Sequence, residues 1–180
     1  MSSILAGWLA PSPWAATRWK MQSGTKIRVC PDTSYLVALY DAADLFHARA
    51  RAIGDALRAH GAQFVYLDCV INEVLNVLAR RARERGKGVA PNQILDRVVA
   101  EIHKGLITWI YPLTPEWYDR CLDLMRHSGS TLNFHDALIV KAWQEIGFDA
   151  IVSFDEDFDL VPGLRRVRSA DQVRSWIPPA

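Results

Sequence analysis

Strand-like and helix-like segments alternate along the chain from about Ile27 onward. Short apolar runs indicate the strands, and longer runs with apolar residues at helical spacing indicate the helices. The predicted strands are residues 27–30, 64–67, 107–111 and 150–153, with a possible short fifth at 165–167. Because parallel strands need helical crossovers between them, this alternation predicts an α/β sandwich with a mainly parallel central sheet of four or five strands.

The length of 180 residues fits a single domain with a substantial core, which we place at residues 27–177. Residues 1–26 form a predicted N-terminal extension, for which two interpretations stay open. Either the natural start is Met21, or the extension is a surface arm, disordered unless its tryptophans dock onto a neighbour. The extension lacks the basic residues that precede the apolar region of a secretory signal.

Cysteine usage and hydropathy predict a cytoplasmic protein. Cys30, Cys69 and Cys121 are odd in number and widely spaced, which is typical of reduced structural cysteines. No apolar stretch is long enough to span a bilayer. The formal net charge is only +1, so any binding of nucleic acid has to rest on local charge.

Four acidic residues stand where strand-like runs end or helix-like runs begin: Asp32, Glu73, Asp136 and Asp155. In an open parallel sheet these positions meet at the carboxyl ends of the strands, where such folds place their active sites. Carboxylates crowded together repel one another and become partly neutral. Because Mg²⁺ prefers oxygen ligands, the pattern predicts a divalent-metal site at this edge of the sheet.

Each acid taken alone has a simpler interpretation. Asp32 is a favoured helix cap, and Asp136 follows Asn133 at capping-box spacing. Glu73 could lie on a solvated helix face, and Asp155 could lie in a solvated turn. None of these interpretations explains why all four acids converge on one end of the same sheet, so the combination favours a site.

Four short motifs carry a resemblance to a known family. They are Asp32-Thr33-Ser34, Asn72-Glu73-Val74, Asp136-Ala137-Leu138-Ile139-Val140 and Val152-Ser153-Phe154-Asp155-Glu156-Asp157-Phe158. Their residues and their order resemble the PIN-domain ribonucleases, and the size of the chain resembles the VapC-type toxins of toxin–antitoxin pairs. The resemblance implies a PIN-like fold and an endoribonuclease that depends on Mg²⁺ or Mn²⁺.

The resemblance, together with the chemistry of phosphodiester hydrolysis, assigns roles to the acids. Asp32, Asp136 and Asp155 are predicted to bind the metal directly or through water, and a bound Mg²⁺ lowers the pKa of its water. Glu73 is predicted either to bind the metal or to orient the attacking water. Asp157 is a weaker candidate for a second metal and is more simply an exposed acid of a turn.

Neighbouring polar and basic residues complete the predicted site. The Thr33 and Ser153 hydroxyls are expected to align the carboxylates by hydrogen bonds. His135 adjoins Asp136, although a histidine in a first helical turn is more often exposed and inert. A basic run follows Glu73 on the same predicted helix and is either a solvated helix end or a contact for RNA: Arg80, Arg81, Arg83, Arg85 and Lys87.

The resemblance further implies an RNA substrate, a homodimer and a separate antitoxin protein. One predicted helix carries the aromatic residues Trp117 and Tyr118 and need not bury both internally, which fits an interface between two copies. Two other functions stay open. A phosphatase of the haloacid-dehalogenase type also places an aspartate after its first strand, but it wants a second one where this chain has Ser34. A degenerate PIN scaffold would serve only as a binding module.

Overall fold

The structure, a computed structural model, describes residues 26–85 and 91–176. The predicted extension up to residue 25 and Lys87 of the basic run therefore lie outside the described residues. The strands are β1 (Arg28–Pro31), β2 (Gln63–Phe64), β3 (Tyr66–Leu67), β4 (Ile107–Thr108), β5 (Ala150–Val152) and β6 (Arg166–Val167). The helices are α1 (Thr33–Tyr40), α2 (His47–Ala59), α3 (Asp68–Glu84), α4 (Pro91–Glu101), α5 (Thr114–His127), α6 (Phe134–Ile146) and α7 (Ala170–Arg174).

A four-stranded parallel sheet in the order β2-β1-β5-β6 forms the centre of the fold. Strands β1 and β5 lie in its middle, with Cys30 opposite Ile151. Both strands are almost wholly apolar and buried, as expected for strands covered on both faces. The prediction of an α/β sandwich with a parallel central sheet is confirmed.

Two predicted strands differ from the observed ones. The segment 64–67 divides at Val65, so that β2 pairs with β1 while β3 pairs with β4 in a separate two-stranded sheet. The segment 107–111 stops as a strand at Thr108 and continues into a 3₁₀ helix, Tyr111–Leu113. The Tyr111 amide donates to buried Asp68 at 3.0 Å, and Pro112 has no amide to donate, so strand pairing cannot continue there.

Helices pack around the sheet in two groups: α1 contacts α2 and α3, α3 contacts α4 and α2 contacts α7, while α5 packs on α6. The core contains Trp117, whereas Tyr118 on the same helix is exposed. Cys30, Cys69 and Cys121 are free thiols, and all three are buried. Within the described ranges, no helix combines the length and the hydropathy that a bilayer crossing requires.

Helix α1 is tied to helix α3 by a buried ion-pair network at its C-terminal end. Asp41 accepts two hydrogen bonds from Arg85, at 2.6 and 2.7 Å, and one from Arg81 at 3.0 Å. Arg81 also pairs with Asp44 at 2.6 Å. The bidentate hydrogen bonds of Arg85 and those of Arg81 lower the pKa of Asp41 to about 2.

We predict that Asp41→Asn destabilises the protein at neutral pH. A lowered pKa means that the charge of Asp41 stabilises the native state above about pH 4 and ceases to do so as pH falls toward about 2. Because both arginines are about one third exposed, water weakens the pairs, and we expect a loss of about 1–2 kcal/mol in the free energy of unfolding. Urea titrations at several pH values measure this loss in the free energy of unfolding.

Asp123→Asn is the matched control, because Asp123 pairs with Arg126 across one helical turn on the surface. Exposed pairs of this kind contribute little, so the control should change stability by under about 0.5 kcal/mol. The difference between Asp41→Asn and wild type should shrink as pH falls from about 4 to 2. A difference that is constant over that range would contradict the role given to the Asp41 charge.

Candidate active site

A cleft of about 330 Å³ opens at the carboxyl ends of β1 and β5. Asp32 directly follows β1, and Asp155 lies three residues beyond the end of β5. Helices α3 and α6 bring in Glu73 and Asp136. All four predicted acids line this one cleft, at the edge where a parallel α/β sheet places its ligands.

The Asp32 carboxylate is buried and firmly held. Its Oδ2 accepts hydrogen bonds from the hydroxyls of Ser34 and Ser153, each at 2.8 Å, and from the Ser34 amide at 3.3 Å. Burial raises the pKa of Asp32, and the hydrogen bonds from Ser34 and Ser153 oppose that rise. The hydrogen bonds from Ser34 and Ser153 all go to Oδ2 and none of them to Oδ1.

Asp136 combines the capping and the site interpretations. Its Oδ2 accepts the Asn133 amide at 3.0 Å, while the Asn133 side chain accepts the Asp136 amide, which completes a capping box at the start of α6. Burial is the largest cause that raises the pKa of Asp136 to about 7, and the charges of Asp32, Asp155 and Asp157 add to it. The cap thus holds a carboxylate that its neighbours repel.

Asp155 begins a 3₁₀ helix, Glu156–Leu160, and its Oδ1 accepts the Asp157 amide at 2.9 Å. The Asp155 amide donates to Ser153 Oγ, the same hydroxyl that holds Asp32. Asp157 does not line the cleft but lies near enough to raise the pKa of Asp136. Burial, and then Asp155, also raises the pKa of Asp157 itself.

Glu73 lies at the rim of the cleft and is 45% exposed. Its Oε2 accepts the Thr33 hydroxyl at 2.9 Å, which is the kind of contact predicted for Thr33. His135 Nε2 lies 3.1 Å from the same oxygen, within ion-pair range but not aligned for a hydrogen bond. His135 is therefore a neighbour of the rim acid rather than an isolated surface histidine.

The basic run of α3 is only partly available to a ligand. Arg81 lines the cleft, but its guanidinium donates to Asp41 and Asp44. Arg80 lies 4.0 Å from Glu84 in an exposed pair, and Arg83 is exposed. The role of Arg80, Arg81 and Arg83 in binding RNA stays a prediction. The contacts of Arg81 with Asp41 and Asp44 stabilise the fold.

The donor set of the cleft fits Mg²⁺ or Mn²⁺. Within residues 26–85 and 91–176, no three His, Cys, Asp or Glu side chains come close enough to hold an ion unaided. Mg²⁺, however, commonly takes only one or two carboxylates and keeps several waters. Asp32 and Asp136 supply two buried carboxylates whose mutual repulsion a divalent cation would relieve.

A comparison with protein families agrees with this geometry. Residues 29–164, which contain all four acids, match the PIN domain. The chain belongs to the PIN domain family. The resemblance indicated by the four sequence motifs is thereby confirmed. No curated protein matches this PIN domain.

Solved structures share the fold at low sequence identity. VapC20 of Mycobacterium tuberculosis, a sarcin-ricin loop cleaving toxin, has a TM-score of 0.56 at 19% identity, covering 76% of this PIN domain chain and 98% of its own. DNA-bound VapBC from Salmonella typhimurium has a TM-score of 0.57 at 13% identity, and the match covers 78% of this chain and 97% of that one. VapBC2 from Rickettsia felis, bound to a promoter DNA fragment, has a TM-score of 0.54 at 14% identity, and the match covers 78% of this chain and 98% of that one. At these identities the likeness concerns the fold alone.

Several residues of the PIN cleft were missed by the sequence argument. The Ser34 hydroxyl donates to Asp32 and accepts the Phe154 amide at 3.0 Å, so it joins the first turn of α1 to the loop after β5. Asp44 and Phe46, from the turn between α1 and α2, form the far wall. Ser34 lay within a recognised motif and could have been found. Asp44 and Phe46 had no local signal, because only the path of the turn brings them to the cleft.

We predict that Asp136→Asn stabilises the metal-free protein above pH 7. A raised pKa means that the native state gains stability from protonated Asp136 below about pH 4 and loses it as pH rises through about 7. Asparagine keeps an oxygen for the Asn133 amide but removes the charge. Urea titrations in a chelating buffer should show a gain on the order of 3 kcal/mol at pH 8.

The gain should vanish near pH 4, where wild-type Asp136 is protonated. Asp171→Asn is the control, because the Asp171 side chain is 89% exposed and its surface pair contributes little. Equal stability of wild type and Asp136→Asn at both pH values would show that Asp136 is not strained by its neighbours.

Proposed function

We propose that this PIN domain is an endoribonuclease that hydrolyses RNA phosphodiester bonds with Mg²⁺ or Mn²⁺, in the cytoplasm. The observation that carries the proposal is the pair of buried carboxylates, Asp32 and Asp136, with Asp155 and Glu73 beside them in one cleft. Membership of the PIN family supports it. A haloacid-dehalogenase type of phosphatase has less support, because Ser34 replaces its second aspartate and donates to Asp32.

We assign the residues of the cleft two roles in hydrolysis, binding the cation and orienting the attacking water. Asp32 and Asp136 would hold the cation, each with its Oδ2 fixed by protein donors. When bound, the cation lowers the pKa of a coordinated water and neutralises charge on the phosphate. Glu73, fixed by the Thr33 hydroxyl at the rim, is placed to accept a hydrogen bond from the attacking water.

We predict that Asp32→Asn and Asp136→Asn each abolish metal-dependent cleavage of RNA while the fold survives. Both variants remove a charge that would bind the cation, and neither changes the size of the side chain. The measurement is cleavage of a structured RNA with Mg²⁺ or Mn²⁺, alongside a circular dichroism check of folding. Asp123→Asn, which alters an exposed acid of α5 far from the cleft residues, should cut as the wild type does.

Metal binding gives a second measurement on the same proteins. A ligand that binds only the native state raises the melting temperature, so Mg²⁺ or Mn²⁺ should stabilise the wild type. Asp155→Ala should lose most of that shift. Undiminished cleavage by a folded Asp32→Asn or Asp136→Asn protein would refute the catalytic assignment, and equal shifts would place the ions elsewhere.

We further propose that the protein is the toxin of a type II toxin–antitoxin pair and forms a homodimer. The likeness in fold to VapC toxins and VapBC complexes supports this. Leu45 is 90% exposed and Phe46 is partly exposed at the rim of the cleft, which suits an apolar helix of an antitoxin. An arginine of that antitoxin could pair bidentately with the carboxylates and compete with the cation.

We predict that the product of the neighbouring gene lowers both Mg²⁺ affinity and RNA cleavage when it is bound. The physical reason is competition for the same carboxylate oxygens. Calorimetry with Mg²⁺ and cleavage assays on the purified complex measure the two effects, and ultracentrifugation of the free protein at micromolar concentration measures its oligomeric state. A complex that binds Mg²⁺ and cuts RNA as well as the free protein would refute inhibition, and a strict monomer would refute the dimer.

A further inference from the structure

A second pocket, of about 360 Å³, lies between helices α2 and α4 and is distinct from the acidic cleft. Three arginines and a histidine line it, together with a single carboxylate: Arg51, Arg58, Arg97, His47 and Glu101, with Leu39 beside them. The two pockets therefore differ in charge. Five acids and one arginine line the first, whereas three arginines and one acid line the second.

Side chains of α1 and α4 support the wall of this arginine pocket. The Arg97 guanidinium lies over the Tyr40 ring, 5.5 Å from its centroid, and donates to Glu101 at 3.1 Å. The Tyr40 hydroxyl donates to the same carboxylate at 2.9 Å. The planar guanidinium of Arg97 is thus oriented by stacking and by an acid, which leaves other donor positions open to a ligand.

Helix α2 supplies the opposite wall as a stripe of basic residues. His47, Arg51 and Arg58 are four and seven positions apart, a spacing that places them on one face of a helix. Arg58 pairs with Asp55 across one turn, with both side chains well exposed. Arg51 forms no hydrogen bond or ion pair with any residue of the described ranges, so its charge is available.

These arginines are more available to a ligand than Arg81 and Arg85 of α3. Arg81 and Arg85 pair with Asp41, which is buried, and loss of those pairs would leave a buried charge alone. Arg58 and Arg97 pair only with exposed acids on their own helices. Such pairs contribute little, and an incoming anion can replace the acid at small cost.

Helix α2 begins beside the active-site cleft. Phe46 lines the cleft and stacks on Phe154 with ring centroids 4.8 Å apart. The Arg49 guanidinium lies over Phe154, 5.4 Å from the ring centroid. Arg51 follows five residues after Phe46, a rise of about 8 Å along the helix. The helix that begins beside the cleft therefore also carries Arg51 and Arg58 of the arginine pocket, on a different face.

We infer that the pocket lined by Arg51, Arg58 and Arg97 binds backbone phosphates of the RNA outside the cut site. This inference rests on the proposed ribonuclease function. Contacts of this kind carry no sequence information; they supply affinity and register along the strand. The pocket would act in addition to Arg80 and Arg83 of the α3 run, which are exposed.

The test is RNA binding in a chelating buffer, so that no cleavage occurs, with a single-stranded oligonucleotide at several salt concentrations. Arg51→Gln should weaken binding at low salt and reduce the slope of log K against log salt by about 0.7, the value for one lost contact on a single strand. The double variant with Arg97→Gln should lose about twice as much. Arg51→Lys should restore the slope, because a point charge still neutralises a phosphate.

Arg126→Gln is the matched control. It removes the same charge from an exposed arginine that pairs across one turn on α5, and it should keep the wild-type slope. Melting curves establish that each variant is folded. Equal losses in Arg126→Gln and Arg51→Gln would mean that net charge alone matters, and unchanged slopes in the pocket variants would place the RNA elsewhere; either result overturns the inference.

The assay separates this inference from the nuclease proposal. A wild type that cuts RNA with Mg²⁺ while the pocket variants bind normally would refute the phosphate site and leave the enzyme assignment intact. A wild type that binds RNA through the pocket but never cuts it would refute the enzyme assignment and leave the phosphate site intact. A wild type that binds no RNA even at low salt would overturn the phosphate site.

Discussion

The buried carboxylate of Asp32 is the interaction on which the site and much of the fold depend. A buried charge is costly unless donors satisfy it, and here the donors come from both loops that leave the central strands. Ser34 follows β1 and Ser153 follows β5, and both hydroxyls meet on one oxygen of Asp32. The same contacts that make burial tolerable also fix the spacing of the two loops. The position of Asp155 follows from that spacing, since its amide donates to Ser153.

A second constraint acts along helices α1 and α3, which are joined at both ends. Near the cleft, Thr33 donates to Glu73; at the far end, Arg81 and Arg85 hold Asp41. The far network has no part in the chemistry that we propose, yet it sets how α1 lies on α3. A change at Asp41 can therefore reach the cleft through the relative position of two helices.

Much of this could be predicted from the sequence, because the signals were local. The apolar runs of β1 and β5 and the capping-box spacing of Asn133 and Asp136 fix their own structure within a few residues. The division of a strand at Val65 could not be predicted, since it depends on which partner strand lies nearby. The function of a basic run was equally hidden. Arg81 looks free in sequence, and only the fold brings Asp41 and Asp44 to it.

The negative charge of the cleft opposes the binding of an RNA substrate, and the residues of the cleft do not offset it. Carboxylates crowded enough to raise the pKa of Asp136 also repel a phosphate backbone, so the cleft without a cation disfavours the proposed substrate. A bound cation makes the electrostatic potential favourable for phosphate only close to itself, because salt and water screen its charge at longer distances. Affinity for a longer strand then has to come from positive charge outside the cleft. We propose the arginine pocket of α2 and α4 as the source of that charge, whereas two of the α3 arginines are paired with acids by the fold itself.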